Sequence, residues 1–181
     1  MKRVLDLEWD QMTVWQRDVY KIIVDGPRRG VSAPLSVWLH RPEFARHAQA
    51  LGLYCRYETS LGPRLSELAI LIVVRLWCAA PEWHAHAKLA LAVGVAPDVV
   101  EAIRTQRSPT FIRMDEAALY AFLIDLHTNR DVSQPIYDEA VRELGESGVI
   151  DLVGVAGYYT LISMTVGAFR IGVPDGVDEV F

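Results

Sequence analysis

The chain has 181 residues, of which 51% are hydrophobic and 23% charged, and its formal net charge is −5. A chain of this length can bury about 70% of its unfolded surface, so folding requires neither a metal nor a disulfide staple. The acidic balance, with no basic run longer than a doublet such as Arg28-Arg29, argues against nucleic acid as a partner.

Met1 to Asp10 carries charges and no apolar run, which is not the pattern of a signal peptide. The apolar run Leu68 to Val74 is far too short to cross a bilayer. Cys55 and Cys78 are too far apart to form a C-x-x-C pair. The expectation is a soluble, reduced, cytoplasmic protein that has no membrane partner.

In chain order, the pattern is helical nearly throughout. Asp10 to Val24 places Val14, Val19, Ile22 and Ile23 at roughly helical spacing, and Gly26-Pro27 stops it. A loop covers Gly30 to Pro34, and a short turn covers Leu35 to Leu39. Pro42 suits the first turn of a helix running to about Tyr57, with Phe44, Ala48, Leu51 and Leu53 expected on one face. Gly52 is an unfavourable residue inside that helix. Leu61-Gly62-Pro63 breaks the chain. A helix then runs to about Ala79, capped by Ser66 or the residues just before it, and its Ile, Leu and Val residues are apolar nearly all round. That is the mark of a buried central helix.

Pro81 opens the next helix, with Glu82 in its first turn and Gly94 as its C′ glycine. Ala96-Pro97-Asp98 opens a short helix to about Thr105. Asp115 to His127 is amphipathic, with Ala118, Phe122 and Leu126 on one stripe. Ser133 caps Gln134 to Leu144. Val149 to about Ile171 is long and apolar despite Gly154, Gly157 and Gly167, whose small size would let another helix approach closely. No alternating run is long enough for a strand. The expected fold is an all-α bundle of about eight or nine helices in a single domain, 1–181, with 1–33 as a helical extension and 173–181 as a tail.

Most of the chemically useful side chains fall between Glu67 and His86. Glu67 and Cys78 are eleven positions apart, close to three helical turns, and are expected on one face, with Arg75 nearby. A carboxylate inside an apolar helix demands a partner. Arg64 or Arg75 could supply a purely structural one. Glu82 and His86 stand at i and i+4, the spacing at which a carboxylate can orient an imidazole for general acid-base work, though such pairs also occur as plain surface pairs. His84 points about 200° away from His86 at ~100° per residue, so these two histidines cannot share a metal ion. No metal site and no cofactor are expected. His40, His47 and His127 read as surface or capping residues, and Cys55 as a small apolar filler.

The segment Leu65 to Ile103 resembles the carboxymuconolactone decarboxylase family, whose superfamily includes the alkylhydroperoxidase D type. The residues that carry the resemblance are Glu67, Glu82-Trp83, His86, Gly94, Pro97 and Glu101. More loosely, it extends over Ala33 to Pro174. It implies an alkylhydroperoxidase D-like helical fold and a homo-oligomer (dimer, trimer or hexamer) with its site between helices near a subunit interface. In the peroxidase branch, two cysteines would stand at Ala79 and Glu82. Neither is present, and Cys78 is one position off without a resolving partner. A disulfide-closing thiol peroxidase needs two thiols.

The decarboxylase branch is the better match and implies a cofactor-independent lyase acting on a small carboxylated lactone or keto acid. In that reading Glu67, Glu82 and His86 are catalytic. Arg75 holds the substrate carboxylate, Trp83 and Tyr158 line the pocket beside Trp77, and Cys78 is the single redox candidate. The competing expectations are a redox protein working through the Cys78 thiol and a non-catalytic helical oligomer that binds a small ligand.

Overall fold

The computed structural model describes residues 2–174, 176 and 180–181. Among these the chain forms eight α-helices, preceded by a 3-10 turn at Trp9–Gln11, and no strand. The helices are α1 (Val14–Asp25), α2 (Ala33–Trp38), α3 (Pro42–Tyr57), α4 (Gly62–Leu76), α5 (Ala80–Ala92), α6 (Pro97–Arg104), α7 (Met114–Asn129) and α8 (Gln134–Phe169). Of the tail expected at 173–181, residues 175 and 177–179 lie outside the described residues.

The centre of the bundle is α4. Its residues from Leu65 to Val74 are buried without a break, and α3, α5, α6, α7 and α8 all pack around it. This is the arrangement its all-round apolar sequence demands. The first turn begins at Gly62 with Pro63, not at Ser66. Ser66 lies inside the helix, and its hydroxyl meets that of Thr59 at 3.1 Å. The N-terminal segment joins the same core: Val19 and Ile23 of α1 and Leu35 of α2 are nearly inaccessible, and both helices pack on α3.

Four local expectations shift. Helix α1 starts at Val14, because Thr13 and Gln16 form a reciprocal capping box that fixes the boundary there. The buried face of α3 is Ala45, Ala48, Gln49, Gly52 and Cys55; Phe44 and Leu51 are well exposed. The larger apolar residues mark the wrong stripe because α3 approaches its neighbours closely and only small side chains fit. Helix α4 ends at Leu76, not Ala79. Ala79 N–H bonds the Val74 carbonyl and Cys78 N–H bonds that of Arg75, a Schellman turn that puts Cys78 at φ 52°. The two C-terminal helices expected on either side of Gly145 are both present within α8, separated where Gly145 takes the non-helical φ 73° and ψ 164°, but the second follows directly after Gly145 and not from Val149.

Helix α8 is long and apolar enough to span a bilayer by composition, but 61% of its most apolar window is buried in the bundle. It is a core helix. Its outer side still exposes Ile150, Val153 and Met164.

Candidate functional site

The Schellman turn at Cys78 and the proline at position 81 reverse the chain, so that α5 runs back along α4. The closest approach of interest is between Glu67, in the second turn of α4, and His86, in the middle of α5. His86 Nδ1 lies 2.7 Å from Glu67 Oε2, with both side chains almost fully buried. Neither Arg64 nor Arg75 is the partner of Glu67: Arg64 pairs instead with Asp115 and Glu116 of α7. An ionised Glu67 can only accept, so Nδ1 carries the proton and Nε2 is the ring nitrogen left for chemistry.

Nε2 faces Glu82, whose Oε2 is 3.8 Å away. The i, i+4 spacing pointed to Glu82 as the carboxylate that orients the imidazole; the geometry gives the hydrogen bond to Glu67. Burial pushes the Glu82 carboxyl above the ordinary glutamate range, and the charges of His86, Arg56 and Arg28 oppose this only in part. A carboxyl held towards its neutral form next to an imidazole nitrogen is suited to passing a proton. Tyr159 of α8 stands edge-on to the imidazole, ring centroids 5.1 Å apart, and keeps water from that side. Its own hydroxyl is driven well above the usual phenol range by complete burial.

The two carboxylates sit at opposite nitrogens of one ring, so they are not arranged to close on a single ion. Among the described residues no group of three His, Cys, Asp or Glu side chains is placed to hold a metal.

A cleft of about 290 Å³ opens beside this cluster. Glu67 forms part of its wall together with Arg56, Tyr57, Ser66, Leu89 and Val93. It is sized for a small molecule, and its wall mixes polar and apolar side chains. The Arg56 guanidinium packs over the Tyr57 ring at 5.3 Å and is paired with no carboxylate among the described residues.

The other residues singled out by sequence fall elsewhere. Arg75 lies eight positions along α4 from Glu67, about 12 Å of helix axis. Its Nε donates to the Arg104 carbonyl at 2.7 Å and its guanidinium covers the Phe181 ring at 4.4 Å. It does not reach the acid-base cluster. Trp83 is buried but turns towards Phe181, with ring centroids 5.7 Å apart. Trp77 is exposed. Cys78 is exposed just past the end of α4 and does not share the Glu67 face; its Sγ is 3.5 Å from Arg75 Nη1. Tyr158 does not line the cleft; it stands edge-on against Tyr159, ring centroids 5.4 Å apart, one ring removed from His86.

Sequence reasoning missed Tyr159, Arg56 and Arg28. Tyr159 could have been found as the neighbour of Tyr158 on an apolar helix. Arg56 gives no local signal, because a charged residue near a helix C-terminus is ordinary. Arg28 is visible in the sequence only as half of a basic doublet.

Fold and site together define an all-α bundle with a buried carboxylate–histidine–carboxylate cluster. Residues 42–124, which contain all three side chains, match the model of the carboxymuconolactone decarboxylase family. Over that stretch the chain is similar to this family, in agreement with the resemblance carried by Glu67, Glu82-Trp83, His86, Gly94, Pro97 and Glu101.

Two solved structures show the same fold over nearly the whole chain. An uncharacterized peroxidase-related protein from Silicibacter sp. TM1040 is 11% identical, with a TM-score of 0.76, covering 96% of this chain and 92% of that one. An alkylhydroperoxidase AhpD core protein from Ralstonia eutropha JMP134, also an uncharacterized peroxidase-related protein, is 16% identical with a TM-score of 0.74 and covers 96% and 93%. At such identities the likeness concerns the fold alone. No curated protein sequence matches the chain.

Proposed function

We propose that the protein is a cofactor-independent lyase that decarboxylates a small carboxylated lactone or keto acid. The observation that carries this reading is the buried His86 ring, held by Glu67 at Nδ1 and presenting Nε2 to Glu82 beside a small-molecule cleft. In the reaction, the bond to the carboxylate carbon breaks and CO2 leaves. The electron pair passes into the carbonyl, directly as an enolate from a β-keto acid or through the conjugated double bond as a dienolate from an α,β-unsaturated γ-carboxylated lactone. His86, protonated at Nε2, then gives a proton to the carbon. Glu67 stabilises the imidazolium before transfer, and Glu82 resupplies the proton. Arg56, on the cleft wall, takes the anion-holding role that spacing assigned to Arg75. Tyr159, buried edge-on against His86, keeps that side of the imidazole dry, which favours loss of charge as CO2. The test is CO2 release from a panel of α,β-unsaturated γ-carboxylated lactones and β-keto acids. Turnover by the wild type and its loss in a folded His86→Gln variant support the reading; full activity in that variant defeats it.

A second reading rests on a different observation, the exposed Cys78 thiol with a guanidinium nitrogen 3.5 Å from its sulfur. A thiolate there would attack a peroxide, release an alcohol or water and become a sulfenic acid, which an external thiol would reduce. Cys55 cannot serve as its resolving partner on chemical grounds: it is fully buried, and burial pushes its thiol up to about 11. Trapping of sulfenic acid at Cys78 after stoichiometric hydroperoxide would favour this reading. A Cys78 that stays reduced would remove it.

A further inference from the structure

The loop between α1 and α2 carries a feature that the family domain at 42–124 does not contain. Arg29 N–H bonds the Gly26 carbonyl at 3.2 Å, closing a turn with Pro27 at its second position. The next residue, Arg28, turns its side chain inward between α3 and α8. Its Nη2 lies 3.4 Å from the Tyr158 hydroxyl, a long contact and the single side-chain partner it has among the described residues. Its Nε is buried and has no hydrogen-bond partner among the described residues. Among the described residues no carboxylate forms an ion pair with it.

The fold keeps space for this arrangement. A Cβ placed on Gly52 of α3 would sit 2.5 Å from Arg28 Nη2 and 2.1 Å from the Tyr158 ring and hydroxyl. No side chain larger than hydrogen fits there unless both groups move. The guanidinium also lies on the catalytic side of the bundle: its charge is felt at Glu82, Cys55 and Tyr158. Tyr158 leads through Tyr159 to His86 by successive edge-on ring contacts of 5.4 and 5.1 Å.

A half-buried guanidinium with an unsatisfied donor and no counter-ion is costly unless something anionic completes it. Planar guanidinium donors match a carboxylate in two-point geometry, and a phenol hydroxyl adds a third donor. We infer that Arg28 and Tyr158 form a carboxylate-binding subsite, supplied from outside the family domain, which fixes the orientation of a small carboxylated ligand relative to His86. The ligand class follows from the donors themselves. That the bound molecule also reacts at His86 rests on the lyase reading above.

The probes are acetate and benzoate, titrated into the full chain with inorganic phosphate as a comparison. The readouts are the 15N–1H resonance of Arg28 Nε and the shift in melting temperature. A saturable shift of the Nε resonance, with benzoate affinity falling about tenfold or more in both Arg28→Gln and Tyr158→Phe, is the expected result. Arg28→Gln is also expected to melt at or above the temperature of the ligand-free wild type, because it removes an uncompensated charge; a merely structural arginine would lose stability instead. Unchanged carboxylate affinity in Arg28→Gln, or an Nε resonance that no carboxylate moves, overturns the inference. Carboxylate binding at Arg28 without CO2 release from any substrate would defeat the lyase reading and leave the subsite standing.

Discussion

Glu67 and His86, nineteen positions apart, meet at 2.7 Å in the interior of the bundle, and the carboxylate leaves the imidazole a single nitrogen for chemistry. Glu67→Gln keeps the shape and an acceptor oxygen but removes the charge that supports the imidazolium. It should lower turnover by about 10²–10⁴-fold, the usual worth of a positioned acid or base. His86→Gln should do the same. His86→Ala is the poorer test, since an unpaired buried carboxylate destabilises by about 3–5 kcal/mol and confuses loss of chemistry with loss of fold. Steady-state CO2 release alongside thermal melting separates the two effects. Glu67→Gln turning over at the wild-type rate would remove the dyad from the mechanism.

Glu82 gives the protein a specific pH dependence. Its folded-state value is raised by burial above the ordinary 4.5, so between 4.5 and that higher value the folded state binds more protons than the unfolded one. Stability therefore falls as pH rises through this window, and Glu82 has no effect below it. Glu82→Gln removes the charge that must be buried, so the variant should be the more stable protein at neutral pH and should converge with the wild type towards pH 4. Denaturant melts of both proteins across that range give the answer. Parallel curves would mean that Glu82 is not held towards its neutral form.

Gly52→Ala tests the packing between α3 and α8. The new methyl would overlap Tyr158 and Arg28, and overpacking of this kind typically costs ~1–3 kcal/mol. Tyr158 should be displaced, and with it the edge-on stack that runs through Tyr159 to His86. The expected result is a lower melting temperature together with reduced carboxylate affinity. Gly157, by contrast, has nothing within 4 Å of a built Cβ, so Gly157→Ala should be tolerated or slightly stabilising.

Cys78 occupies a left-handed position, φ 52°, that glycine adopts without strain. Cys78→Gly should stabilise by about 1 kcal/mol, or roughly 2–4 °C for a chain of this size. If the protein works as a lyase, the variant should turn over normally. Lost activity with higher stability would instead point to thiol chemistry.

Much of this molecule is readable in one dimension. The apolar sequence of α4 implies a central helix because nothing but full enclosure can shelter it. Pro42, Pro81 and Pro97 mark helix starts, and Gly94 marks a helix end, because their backbone preferences act locally. The i, i+4 spacing of Glu82 and His86 places them on one face by helix geometry alone. Other features depend on which surfaces meet. The inner face of α3 is its small-residue face, a choice made by the close approach of α8 and of the Arg28 side chain. Helix α4 stops at Leu76 because hydrogen bonds across the turn hold Cys78 in a left-handed conformation, which its sequence does not advertise. Arg75 was chosen by chain spacing, but some 12 Å of helix axis carries it away from Glu67. Arg56 and Arg28 come to the site from α3 and from the loop before α2. The sequence by itself determined the helices and the face shared by Glu82 and His86, since those follow from local periodicity. The tertiary structure alone decided which cations face them, because that depends on long-range packing between segments that share no local pattern.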